Sequence, residues 1–145
     1  MAEGTGAKRY LERVHNMKLQ LHIKLELLEQ LKEMTCRVTA SYGGERVDKT
    51  PGKSPMEDAI LRLEEEERAV QAYIDRMMDL RNEVARQIEE VENTSHRNLL
   101  ELRYLCGYSF DRIAVALDTS MGNVYKQHHD ALRAFEKIYG RRHAV

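Results

Sequence analysis

Apolar positions in the first forty residues do not settle into a single period. The stretch LQLHIKLELL, residues 19–28, alternates apolar and polar residues as a half-buried strand would. Its Leu, Lys, Glu and Gln are strong helix formers, however, and no glycine or proline interrupts the chain from Ala7 to Ala40, so the pattern predicts a helix. At about 100° per residue the alternation splits into two stripes. Leu19, Ile23, Leu27, Leu31, Met34 and Val38 form one, and Leu11, Val14, Leu21, Leu25 and Leu28 form the other. One helix with two apolar stripes needs two partners: a second helix of the same chain, and a second copy in a homodimer.

Residues 41–53, SYGGERVDKTPGK, have three glycines, a proline and no periodicity, which predicts a flexible connection. Ser54-Pro55-Met56-Glu57 then fits a capping box with proline at the first helical position. Behind it Ile60, Leu63, Val70, Ile74, Met77, Val84, Ile88 and Val91 step by three and four, interrupted only by Glu67 and Arg81. This is a coiled-coil seam. The two long helices, each on the order of 50 Å, are expected to run antiparallel as a hairpin over residues 7–92.

Asn93, Thr94 and Ser95 break the seam, and three shorter helices are predicted: Ser95 to Leu105, ended by Gly107; a second capped by Ser109 and running to Leu117; and a third from Met121 to about Tyr139. Leu99, Leu100, Leu102, Leu105, Ile113, Ala114, Leu117, Val124, Ala131, Leu132, Phe135 and Ile138 supply their expected core. The turn Asp118-Thr119-Ser120 and the small Ala114, which lets two helices cross closely, give residues 95–140 the pattern of a helix-turn-helix. Two positions depart from that pattern. Asp118 stands where glycine would most easily adopt a left-handed conformation, and Gln127 stands where an apolar residue is usual.

Charge sharpens the division. Residues 1–55 carry a net +3, residues 56–94 a net -7 and residues 95–145 a net +3. The first two segments are therefore suited to pair with each other, and the third to face an anion. No apolar run is long enough for a membrane span and the N-terminus lacks a signal-peptide core, which points to the cytoplasm. Cys36 and Cys106 lack metal or redox spacing and are expected to be reduced, packed thiols. His15 and His22 share a helix face without a third ligand, and Glu64 to Glu67 fan around a helix turn, so both are read as structural. With no nucleophile–base pair, phosphate loop or metal signature, neither catalysis nor a cofactor is expected.

The segment HRNLLELRYLCGYSFDRIAVALDTSMGNVYKQHHDALRAFEK resembles the fourth region of bacterial sigma factors: L-x-L-R-Y-x-x-G-x-S, then I-A-x-x-L, then S-x-x-x-V with A-L-R further on. Together with the long helices and the linker ERVDKTPGKSPMED, nearly the whole chain is similar to small phage and prophage proteins of Gram-positive bacteria related to late-transcription regulators of the ArpU and RinA type. The resemblance implies an all-α fold and contact with double-stranded promoter DNA and host RNA polymerase. Matched position by position, it puts Ser120, Gly122, Asn123, Tyr125, Lys126 and His129 on the groove-facing side of the recognition helix, with Arg133 further along.

Those side chains are chemically capable of the task, although the arginines usual in the first turn of such a helix are missing. Asn123 suits adenine, Ser120 a base edge or phosphate, Met121 a thymine methyl, and Lys126 guanine or phosphate. Arg112, with Arg97, Arg103, Arg141 and Arg142, is expected to hold the DNA backbone. The expected function is transcriptional regulation of phage late genes by a homodimer. The alternatives are a DNA-packaging oligomer like a small terminase subunit, or an RNA-polymerase-binding adaptor without DNA specificity of its own.

Overall fold

A computed structural model of the chain describes residues 6–42 and 54–143, and every regular element among them is helical. Helix α1 spans Gly6–Tyr42, α2 Pro55–Ile88, α3 Thr94–Leu100, α4 Phe110–Ala116 and α5 Met121–Arg142. The all-α expectation holds. Ser41 and Tyr42 extend α1 instead of opening the connection, and the rest of the expected linker, 43–53, lies outside the described residues. The capping box forms as read: the Glu57 backbone N–H donates to Ser54 Oγ and the Ser54 N–H to Glu57 Oε1, each at 3.1 Å. Two N–H groups that no helical carbonyl can reach are thereby satisfied.

The chain divides into two compact units. The first joins the opening turns of α1, as far as Lys18, to everything from Met77 onward. In it Ala7, Tyr10, Leu11 and Val14 of α1 share one core with Val84 and Ile88 of α2, Val91, Leu100, Tyr104, and Ala131, Phe135 and Ile138 of α5. Phe135 and Leu11 are fully buried. The helix-turn-helix therefore closes its core with both ends of the long helices. Beside that core, Leu99, Ile113, Ala114 and Val124 make a second cluster, with Leu102, Tyr108, Phe110, Leu117 and Met121 packed on it.

Helix α2 ends three residues before the expected end of the seam. Its last turn tightens, with Glu90 N–H donating to Gln87 O and Val91 N–H to Ile88 O, and Val91 is buried beyond the helix. Helix α3 starts at Thr94, one residue before the expected Ser95, and Asn93 caps it: the Asn93 side chain accepts from the His96 N–H at 3.1 Å. After Leu100 the helix widens into a π-helical turn, Glu101–Leu105, closed by Cys106 N–H to Glu101 O at 2.9 Å. Gly107 then stops it at φ 79°, a left-handed conformation that calls for glycine, beside the flexible end of Lys18.

The second unit, Leu19–Arg76, pairs the later turns of α1 with the earlier turns of α2 in antiparallel sense. Tyr73 Oη donates to Gln20 Oε1 at 2.8 Å, and Lys24 Nζ stands 4.9 Å from the Tyr73 ring centroid. Lys32 and Glu67 approach to 4.0 Å, both about half exposed, so this pair adds little stability. Among the described residues of this unit few side chains are buried; Thr35, Val70 and Tyr73 are. Leu19, Ile23, Leu27 and Met34, from the first apolar stripe, are exposed, whereas Leu31 and Val38 are half-buried.

Candidate nucleic-acid interface

The junction between α4 and α5 is built by local hydrogen bonds that the sequence dictates. Ser109 Oγ accepts from the Arg112 N–H at 3.2 Å and starts α4. Leu117 ends it, and Asp118 turns the chain at φ 54°, the left-handed conformation expected at that position. Thr119 N–H returns to Ala114 O at 2.9 Å. Ser120 Oγ then accepts from the Asn123 N–H at 3.1 Å and caps α5. Leu117 lies half-buried and Val124 fully buried on either side of the turn, fixing α5 against α4.

This anchoring decides which side chains α5 leaves in solvent. Gly122, Lys126, His129 and Arg133 recur at spacings of three and four and are all exposed, and Tyr125 beside them is 52% exposed. Arg112 is also exposed, its guanidinium 3.8 Å from the Tyr108 ring centroid. A Cβ at Gly122 would meet nothing within 4 Å, so this face is open at its start.

Three residues named from sequence are placed differently. Met121 is half-buried against the second core cluster. The Ser120 oxygen is engaged as a cap. Asn123 is half-buried, and its Nδ2 donates to Thr119 Oγ1 at 2.8 Å. It lies roughly 100° around the helix from Gly122 and lines a polar cleft of about 270 Å³ with Ser95, Asn98, Thr119 and Gln127. The unusual Gln127 thus faces polar neighbours.

Several arginines expected to hold the DNA backbone serve the fold. Arg97 Nη1 donates to Val91 O at 2.6 Å, Arg103 Nη1 donates to Tyr108 O at 3.1 Å, and Arg142 pairs with Glu90. The Arg103 guanidinium also sits 4.1 Å from the Phe110 ring centroid.

Behind the exposed face lies a group that no periodicity or motif announced. Tyr104 Oη lies 2.7 Å from His128 Nε2, and the His128 ring meets Phe110 edge-on at 5.0 Å. Phe110 in turn contacts the exposed Tyr125 at 5.2 Å. Burial, helped by the charge of Arg103, lowers the His128 pKa to about 4, while burial raises Tyr104 to about 12. The pair is therefore a neutral hydroxyl against a neutral imidazole, a hydrogen bond whose direction follows the ring's tautomer. His15 Nδ1 approaches Arg103 O at 3.1 Å, tying α1 to the same group, and burial lowers its pKa too.

Among the described residues no group of three or more His, Cys, Asp or Glu side chains could hold a metal ion, and no helix is long and apolar enough to cross a membrane. Cys36 and Cys106 are free, but both are exposed and not packed as expected: Cys36 lies in the later turns of α1, and Cys106 lies just past the π-helical turn.

Residues 94–135 match the family model described as Sigma-70, region 4. The match covers α3, the π-helical turn, α4 and the greater part of α5. Nothing among the curated proteins or the solved structures matches the chain.

Proposed function

We propose that the chain is a DNA-binding regulator of transcription that reads promoter DNA with α5. One observation carries this: in the segment similar to sigma region 4, a helix capped and anchored as the second helix of a helix-turn-helix leaves Gly122, Tyr125, Lys126, His129 and Arg133 together in solvent. Lys126, Arg133 and Arg112 neutralise phosphates, while Tyr125, His129 and the Thr119-anchored Asn123 present groups to base edges. Ser120 sets the helix start, and Met121 sets its seat on the core. Residues 95–140 act as the DNA-contacting module, and the hairpin of residues 7–92 carries it. The similarity to phage late-transcription regulators supports late-gene promoters as the target and host RNA polymerase as a partner.

Enrichment from random duplexes with the full chain, followed by anisotropy titration, tests this. A preferred duplex bound at least a thousandfold more tightly than random sequence is expected; no preference at any salt concentration refutes base reading. One observation favours a polymerase-binding adaptor instead: Arg97, Arg103 and Arg142 are engaged by the chain's own groups. In that case binding to promoter DNA would appear only when RNA polymerase is added.

A further inference from the structure

Seven of the ten exposed large apolar side chains among the described residues lie in the second unit. Leu19, Ile23, Leu27 and Met34 are 62%, 48%, 57% and 53% exposed. They follow one line along α1, about 22 Å long at 1.5 Å per residue. Concentration of exposed apolar surface along one line is the mark of an interface rather than of scattered surface residues.

The groove beside that line says what covers it. Leu27 belongs to both the line and the groove, whose floor is completed by Leu28, Leu31 and Val70. Lys24 and Arg76 stand at one end of the groove and Glu66 at the other. Ten residue steps along α2 from Glu66 to Arg76 separate these poles by roughly 15 Å. A two-fold axis beside Leu27 sets α1 antiparallel to its copy and brings the basic pole of each groove against the acidic pole of the other. Parallel pairing would lay like charge on like. A head-to-tail contact would leave one apolar line open at each end.

We propose that this face of α1 is an isologous interface with a second copy of the chain, α1 crossing α1 in antiparallel sense at Leu27 and Glu66 of each copy facing Lys24 and Arg76 of the other. It requires nothing of the DNA reading, so failure of either leaves the other standing.

Sedimentation equilibrium of the full chain should give a dimer at micromolar concentration. Leu27→Glu, at an exposed site that keeps the fold, should weaken it at least tenfold, with helicity checked by circular dichroism. Glu66→Lys and Arg76→Glu should each weaken the dimer several-fold, and the two together in one chain should restore most of the loss. In a Cys36→Ser, Cys106→Ser background, Leu27→Cys should oxidise to a covalent dimer, and Leu19→Cys should cross-link with Met34→Cys but not with itself. A monomeric wild-type chain, a ring of higher order, self-linking of Leu19→Cys or additive charge effects without rescue would each overturn the interface.

Discussion

Tyr104 Oη and His128 Nε2 share a hydrogen bond of 2.7 Å, and this partly buried pair backs Phe110, which in turn backs Tyr125 on the exposed face of α5. Burial favours the neutral imidazole, so the pair responds to pH. The unfolded imidazole titrates near 6.5 and the folded one at about 4. Between those values the unfolded chain binds the extra proton, and the fold loses stability as pH falls; above about 6.5 the contribution is fully present. Thermal melts from pH 7 to pH 4.5 should show a falling Tm. His128→Gln, which keeps a hydrogen-bonding partner for Tyr104 but does not titrate, should flatten the fall, removing a pH-dependent term on the order of 2 kcal/mol once solvent screening is allowed for. A smaller slope of the same sign should remain, because burial lowers the His15 pKa as well. An unchanged slope in His128→Gln would place the titration elsewhere.

Asp118 holds φ 54° without being glycine. Asp118→Gly relieves the Cβ clash of that conformation and should stabilise the fold by about 1 kcal/mol, whereas Asp118→Ala should destabilise it. Denaturant midpoints compare the three chains. The opposite order would mean that the Asp118 side chain contributes more to the turn than the backbone strain costs.

Lys126 and Asn123 differ in exposure and partners, and substitutions should separate their roles. Lys126→Ala should weaken binding to every sequence and lower the slope of log K against log salt by about one, as a lost phosphate contact does. Asn123→Ala should cost roughly 1–3 kcal/mol on the preferred duplex alone. Thr119→Val removes the group that anchors Asn123 Nδ2 and should lose part of the same preference, adding little in an Asn123→Ala background. Titrations on preferred and scrambled duplexes at three salt concentrations give all four slopes.

Residues 95–140 produced alone should not hold the native fold. Phe135, Ile138 and Leu100 pack against Tyr10, Leu11, Val14, Val84 and Ile88, all outside that segment. Losing such neighbours is comparable to opening large cavities, at about 3–5 kcal/mol for one buried aromatic. Circular dichroism of the isolated segment should show partial helicity and no cooperative melt. A sharp transition above 45 °C would show that the segment is self-sufficient.

Helix starts were legible in the sequence because capping chemistry and apolar spacing are local: Ser54 and Glu57 announce the start of α2 and Ser109 that of α4, whereas Ser120, expected in the turn and on DNA, caps α5. The joint at Asp118 was legible as well, down to its left-handed backbone. What the sequence hid depends on partners far along the chain. Tyr10, Tyr73 and Tyr104 are buried because Glu83, Gln20 and His128 receive or meet their hydroxyls, pairings that no periodicity contains. The same limit applied to the candidate site. Residue type marked Arg97 and Arg103 as DNA contacts, and only the positions of the Val91 and Tyr108 carbonyls show where their guanidinium groups go.

Leu11 and Phe135 occupy one core although more than a hundred residues of chain separate them. On the ribosome the first turns of α1 emerge with their apolar side chains exposed and wait until α5 has followed. During that interval the nascent chain presents Tyr10, Leu11 and Val14 to whatever holds unfolded segments, and the core closes late, by a long-range contact that is slow to form. Synthesis halted before Phe135 would therefore yield a chain whose first core cannot close, with Tyr10, Leu11 and Val14 left open to chaperones and proteases.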